Sequence, residues 1–223
     1  MSKSTYNDTD VNDSKTDLTK DSDASTSSGV PVLSSASGLP TYPQPAGFDA
    51  KFCSSAGPRT LLMDTSRMNF ISGHYNLMDE EENILLKSDG KIGHGKSYTD
   101  ESGAEVLHTS TGIGNRKTVG KLPDGREIFW VKPDNWGGYQ FAAEFIDCST
   151  QARRDIMMKG NWREKSEIYI DGNIVGRVTK EKFWSSKRRL EVAGNVDILL
   201  IFACAICFKV LCDDTQANFA AIT

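Results

Sequence analysis

Val196-Asp-Ile-Leu-Leu-Ile-Phe-Ala-Cys-Ala-Ile-Cys-Phe-Lys-Val-Leu-Cys212 is the stretch whose reading decides the fold. Ile198 to Phe208 is an unbroken run of 11 apolar residues. A helix that spans a bilayer needs about 20, and Asp197 and Lys209 close this run well short of that. A fully apolar strand of such length is also out of scale, because strands average about 5 to 6 residues. Ala203, Ala205 and the Leu199-Leu200 pair favour helix. The sequence therefore predicts one helix from about Asn195 to Leu211, with Asp197 and Lys209 placed to complement its dipole. A helix without a polar side has to be enclosed. Ile198, Leu199, Ile201, Phe202, Cys204, Ala205, Ile206 and Phe208 are the residues expected inside that enclosure.

The chain before the helix supplies short β-type runs broken by turn signals. Arg59 to Met63, His74 to Met78 and Ile84 to Lys87 come first, and Ala104 to Ser110 is a weaker candidate. Arg116 to Leu122 runs into Pro123-Asp-Gly125, and Arg126 to Lys132 and Tyr139 to Ile146 follow. Asp155 to Lys159 precedes a hairpin signal, Glu167 to Val178 folded about Asp171-Gly-Asn173. Lys182 to Ala193 is the last strand. Turns every 8 to 12 residues or so describe an antiparallel sandwich or barrel. No alternation of strands with helices is present, which argues against a doubly wound sheet.

Residues 1 to 57 read as a disordered tail, and the folded domain is expected over 58 to 223. Met1 to Ser28 is nearly all Ser, Thr, Asp, Asn and Lys. Gly29 to Pro45 is rich in Pro, Gly and Ser, and it contains one PxxP, Pro40 to Pro43, with polyproline II character that could dock a partner protein. Met1 to Gly29 has no apolar core of a secretion signal, and five cysteines is an odd number. The expectation is reduced thiols in a cytoplasmic or nuclear setting, possible membrane contact being peripheral.

The order of these features resembles the LURP-one-related family, which shares its fold with the tubby C-terminal domain and the phospholipid scramblases. The resemblance rests on Arg59-Thr-Leu-Leu-Met63, Tyr75-Asn-Leu-Met-Asp79 with Asn83-Ile-Leu-Leu86, and Met157-Met-Lys-Gly-Asn-Trp162. It continues through Ile168-Tyr-Ile-Asp-Gly-Asn-Ile-Val-Gly-Arg-Val178, Glu191-Val-Ala193 and the apolar helix. It implies a mainly β fold, a barrel of roughly twelve antiparallel strands around the C-terminal helix. The polar stretch Ser88 to Gly114 departs from the family pattern and is expected to carry an insertion. Phe219 to Ile222 is expected to add a short strand after the helix.

Motifs for catalysis or metal binding are weak. Cys204-Ala-Ile-Cys207 has the spacing of a redox or metal pair, but it lies among Ile, Phe and Ala, where a thiol is inert. Gly114 to Lys121 misses the phosphate-loop spacing and lacks the Ser or Thr that binds Mg²⁺. Asp79 to Asn83 starts like a calcium loop, yet Ile84 stands where Gly is needed and Gly90 where a bidentate Glu is needed. His74, His94 and His108 fall in no metal pattern. No nucleophile, base and orienting group can be assembled, so the reading is non-catalytic, with no cofactor and no metal.

Charge is the informative signal. The formal net charge is −4, but Arg153 to Arg189 holds eleven Lys and Arg against five Asp and Glu. Lys165, Lys180, Lys182, Lys187, Arg188 and Arg189 are the candidate lipid-binding residues, the last five expected on one face near a turn, and Trp162, Phe183 and Trp184 interleave with the basic run. Such a face suits phosphoinositide or other anionic lipid headgroups, and the family resemblance implies the same. The expectation is a non-catalytic tubby-like domain at an anionic membrane surface or on a partner protein. One alternative is a scramblase-like phospholipid transporter with the helix in the bilayer. Another is a structural or protein-interaction module without lipid ligand. A pI near 5.5 and the lack of a recognition motif disfavour nucleic acid.

Overall fold

Strand alternation and the helix together build the domain. The computed structural model describes residues 38–65, 73–90, 95–111, 118–132, 140–181 and 186–220. Its strands are β1 (Thr41–Ala46), β2 (Arg59–Asp64), β3 (Tyr75–Met78), β4 (Ile84–Asp89), β5 (Lys96–Asp100), β6 (Glu105–Thr111) and β7 (Thr118–Lys121). They continue with β8 (Glu127–Lys132), β9 (Gln140–Ile146), β10 (Arg153–Asn161), β11 (Lys165–Ile170), β12 (Asn173–Lys180), β13 (Lys187–Val192) and β14 (Gly194–Val196). The helix α1 spans Ile198–Ala220.

Strands β2 to β13 close into a twelve-stranded antiparallel barrel, in which β13 pairs with β2 and β9 with β10. Eight strands enclose only enough space for their own side chains. Twelve leave a lumen, and a helix about 10 Å across fills it. Leu61, Met63, Leu77, Leu86, Leu107, Phe129, Phe145, Met158, Ile168 and Leu190 point inward and are fully or almost fully buried. Against them lies the apolar run: Ile198, Leu199, Ile201, Phe202, Cys204, Ala205, Ile206 and Phe208 are all buried. Phe202 meets the Tyr98 ring edge to face at 6.0 Å. The barrel encloses this helix, and among the described residues no helix is long and apolar enough to cross a membrane.

The helix bounds differ from those read in the sequence. Asn195 has φ +61° and Gly194–Val196 is a strand, so the helix starts at Ile198 with Asp197 as its cap. It also runs beyond Leu211 to Ala220. Phe219 and Ala220 are therefore helical and form no terminal strand, while 221–223 lie outside the described residues. Lys209 is mid-helix and pairs with Asp213 one turn on. The stretch Ser88 to Gly114 provides barrel strands β5 and β6 and the end of β4, where an insertion was expected. Tyr98, Val106 and Leu107 are buried there, and so are the polar Ser88, Lys96 and Thr109.

A second correction concerns the tail. Residues 38–57 are part of the folded unit. Strand β1 pairs in parallel with β14, outside the barrel, and a short 3-10 helix follows at Ala50–Phe52. Leu39, Ala46 and Phe48 are buried, and Phe48 packs edge-on against Phe129 and Phe145 at 5.5 and 6.3 Å. That burial and the long-range bonds to Asp197 offset the chain entropy that the Pro and Gly content suggests should win. The PxxP residues Pro40 and Pro43 stand exposed on this segment. Residues 1–37 lie outside the described set.

The two ends of the barrel differ. At the end where α1 begins, five hairpin turns each contain an aspartate: Asp79, Asp100, Asp124, Asp147 and Asp171. Asp100 accepts from the Ser102 and Ala104 amides, and Asp124 from the Arg126 amide. Asp79 accepts from the amide and side chain of Asn83 at 2.7 and 2.9 Å, so the calcium-like start is a closed hairpin turn. We call this the capped end and the other the exit end. The phosphate-loop imitation falls partly on 112–117, outside the described residues, and its remainder is β7.

Candidate functional site

Register decides which basic residues meet. Leu190 and Val192 of β13 face the lumen, so Arg188 faces it too, while Lys187 and Arg189 point outward. The candidate residues therefore split between two faces of the sheet, where one shared face was expected. Cross-strand pairing sets Lys180 opposite Arg188 on the lumen side. Arg189 stands exposed on the outside, between Thr179 and Leu62. Lys187 forms an ion pair with Glu82, and Lys165 pairs with Glu167 at 2.8 Å. Lys182, Phe183 and Trp184 lie outside the described residues.

Arg188 is the unusual cation. Its guanidinium lies over the Trp162 ring at 5.1 Å and donates to the Arg163 carbonyl at 3.3 Å. Trp162 in turn packs edge-on against Phe208 of the helix at 6.4 Å. Burial alone holds the Arg188 pKa below its ordinary value. Among the described residues no carboxylate lies within ion-pairing distance of it.

A second cationic corner lies on the same exit end. Lys96 is in lumen phase on β5 and only 7% exposed. Its ammonium sits 4.8 Å from the Tyr75 ring centroid and donates to the Gly73 carbonyl at 3.0 Å. Lys209 approaches the same ring from α1 at 5.9 Å. Burial lowers the Lys96 pKa, with Lys209 repulsion adding to it. Lys209 is also penalised by burial, but Tyr75 and Asp213 outweigh that and leave its pKa raised. The sequence reading passed over this pair because the two lysines are far apart in the chain. The usable signals were a lysine two residues before Tyr98 on an inward face, and a single lysine interrupting an apolar helix.

The capped end is arranged around acids. Asp197 is fully buried, and burial pushes its carboxyl up to about 6. Asp147 is buried as well, bonded by Ser149, Thr150 and the Gly47 amide. A pocket of about 330 Å³ opens beside the 3-10 helix, lined by Phe48, Lys51, Leu122 and Leu199 among others. His74, bonded to Asp89, and His108, opposite Ser97 on the outer face, line other surfaces. Cys204 and Cys207 are buried in the core, and burial raises the Cys207 thiol to about 12.

Comparison with known proteins reaches the same architecture. An X-ray structure of a protein from Arabidopsis thaliana superposes with a TM-score of 0.52 at 18% identity, covering 75% of this chain and 96% of that one. At that identity the likeness is one of fold. No curated protein matches the sequence. The model of the LURP-one-related family matches residues 59–209, from the first residue of β2 to Lys209 in α1. The chain belongs to the LURP-one-related family.

Proposed function

We propose that this protein is a non-catalytic tubby-like barrel that binds anionic phospholipid headgroups, phosphoinositides included, at its exit end. The observation that carries the reading is Arg188, half-buried against Trp162 with no carboxylate partner among the described residues. A partly desolvated charge without a counterion carries a free-energy cost, reduced here by the remaining solvent contact, and an incoming anion offsets it. Lys180 stands opposite Arg188 on the same face, so two cations address one ligand. Lys165, exposed, and Lys187, partly exposed, lie close by in ion pairs. Exposed pairs are worth about 1 kcal/mol or less and yield readily to a membrane, where each basic side chain contributes about 1 kcal/mol. A peripheral location at the cytoplasmic face of a membrane belongs to this reading.

Co-sedimentation with phosphatidylcholine vesicles, with and without a phosphoinositide, tests it. Wild type is expected to sediment with the phosphoinositide vesicles. Arg188→Met should lose at least tenfold in affinity, and Arg189→Met, on the outer face, should lose little. Equal binding by wild type and Arg188→Met would overturn the assignment.

A further inference from the structure

The Lys96 corner has a chemistry of its own. We infer that Lys96, Lys209 and Tyr75 form a second site, which takes a single phosphate group, and that the Asp213 carboxylate occupies it from within the chain.

Two ammoniums approach one aromatic ring, 4.8 and 5.9 Å from the Tyr75 centroid. An ammonium has three donors, and the hydrogen bond of Lys96 goes to the Gly73 carbonyl. Gly73 closes that side of the corner: a Cβ there would lie 2.8 Å from the Lys96 ammonium. Among the described residues Lys96 has no carboxylate at ion-pairing distance. Asp89 attracts it from farther away while bonded to His74. Asp213 pairs with Lys209 and not with Lys96, so the corner holds two ammoniums and one directly paired carboxylate.

Beneath this corner the barrel wall carries two hydroxyl side chains. Tyr98 is the next lumen-facing residue of β5 after Lys96, and Ser88 is its cross-strand partner and that of Tyr75. Both hydroxyls are fully buried, and Tyr98 has Ser88 and Thr109 beside it. Asp213 is an exposed side chain held by an i,i+4 pair, a weak interaction on a helix surface. A phosphate dianion, with more charge and more acceptor oxygens, displaces it.

The inference does not depend on vesicle binding through Arg188, and the experiment keeps the two apart. The full chain is titrated calorimetrically with inorganic phosphate at constant ionic strength. Wild type should bind, Asp213→Asn several-fold more tightly, and Lys96→Met at least tenfold more weakly. Lys96→Met removes a desolvated charge, so it should fold, and near-UV circular dichroism checks that. If it does not fold, Asp213→Asn decides alone, and unchanged phosphate affinity in that variant overturns the inference. Equal phosphate binding by wild type and folded Lys96→Met also overturns it. A second arm uses phosphatidylcholine vesicles containing phosphatidic acid. Binding confined to these vesicles and lost in Lys96→Met identifies the phosphate as a lipid headgroup. An Arg188→Met variant that keeps its phosphate response but leaves the vesicles shows two separate sites. Loss of the phosphate response in Lys96→Met with Arg188→Met still on vesicles sinks the Arg188 reading and leaves this one standing.

Discussion

The amide of Phe48 donates to Asp197 Oδ2 at 2.8 Å, across 149 positions of sequence. Asp49 donates to the same oxygen at 3.1 Å, and the other oxygen accepts from Leu199 at 2.7 Å and Leu200 at 3.3 Å. One buried carboxylate thus caps the lumen helix and holds the segment that covers the capped end. Gly47 makes the approach possible, since a Cβ there would fall 2.0 Å from that of Asp197. Replacing Asp197 by Ala removes a helix cap, worth about 0.5–2 kcal/mol. It also leaves further buried donors unpaired, at about 1–3 kcal/mol each. Asp197→Ala should therefore lose roughly 3–5 kcal/mol in urea unfolding. A loss under 1 kcal/mol would mean that this carboxylate does not join the two segments.

The same group makes a pH prediction. Burial raises the Asp197 pKa from 3.8 to about 6, against the pull of the four amides. The native state then keeps this proton to higher pH than the unfolded chain does. The stability tied to the group is complete below about pH 4 and is lost as pH rises through about 6, on the order of 3 kcal/mol in all. Turn aspartates such as Asp100 and Asp124, held below their ordinary values by hydrogen bonds, act in the opposite sense. Subtracting an Asp197→Asn variant cancels them. The stability of wild type relative to that variant should fall between pH 4 and 7. A relative stability that rises with pH would show that the amide donors outweigh burial.

Truncation tests where the domain begins. The family match starts at residue 59, but Phe48 seals the Phe129 and Phe145 rings and supplies one of the amides on Asp197. A chain starting at Pro58 should be much less stable than one starting at Gly38, with a fall in Tm of 10 °C or more and aggregation on concentration. Equal melting temperatures would make residues 38–57 dispensable to the fold.

The enclosed helix and most barrel strands were legible because each rests on a local pattern. Ile198 to Phe208 has no polar side, and runs such as Ile168 to Val178 carry their own turn. What escaped reading depends on distant partners. Strand β1 exists through β14, far along the chain, so Pro and Gly content hid it. Strand β5 mixes Lys96 and Thr99 with Tyr98, and only the lumen shows which of these face inward. The basic cluster is visible as composition, but composition does not carry the alternation of Lys187, Arg188 and Arg189. That period of two separates the one lumen-facing arginine from its outward-pointing neighbours.

Arg188 should reveal itself by a conflict between stability and binding. Its guanidinium is desolvated and has no carboxylate partner among the described residues, while its stem and plane pack on Trp162. Methionine keeps an unbranched stem against the indole and removes the charge. Exchanging an uncompensated buried charge for an apolar side chain is often neutral or stabilising, by up to a few kcal/mol. The hydrogen bond to the Arg163 carbonyl, at 3.3 Å, is a long one, and its loss offsets about 1 kcal/mol. Arg188→Met is thus expected to match or exceed wild type by up to about 2 kcal/mol in urea unfolding. Arg188→Glu, which reverses the charge over the face of an aromatic ring, should lose stability. A Met variant more than 1 kcal/mol less stable than wild type would make Arg188 a structural residue, and its exposure to an anion at the exit end would no longer be the reason it is there.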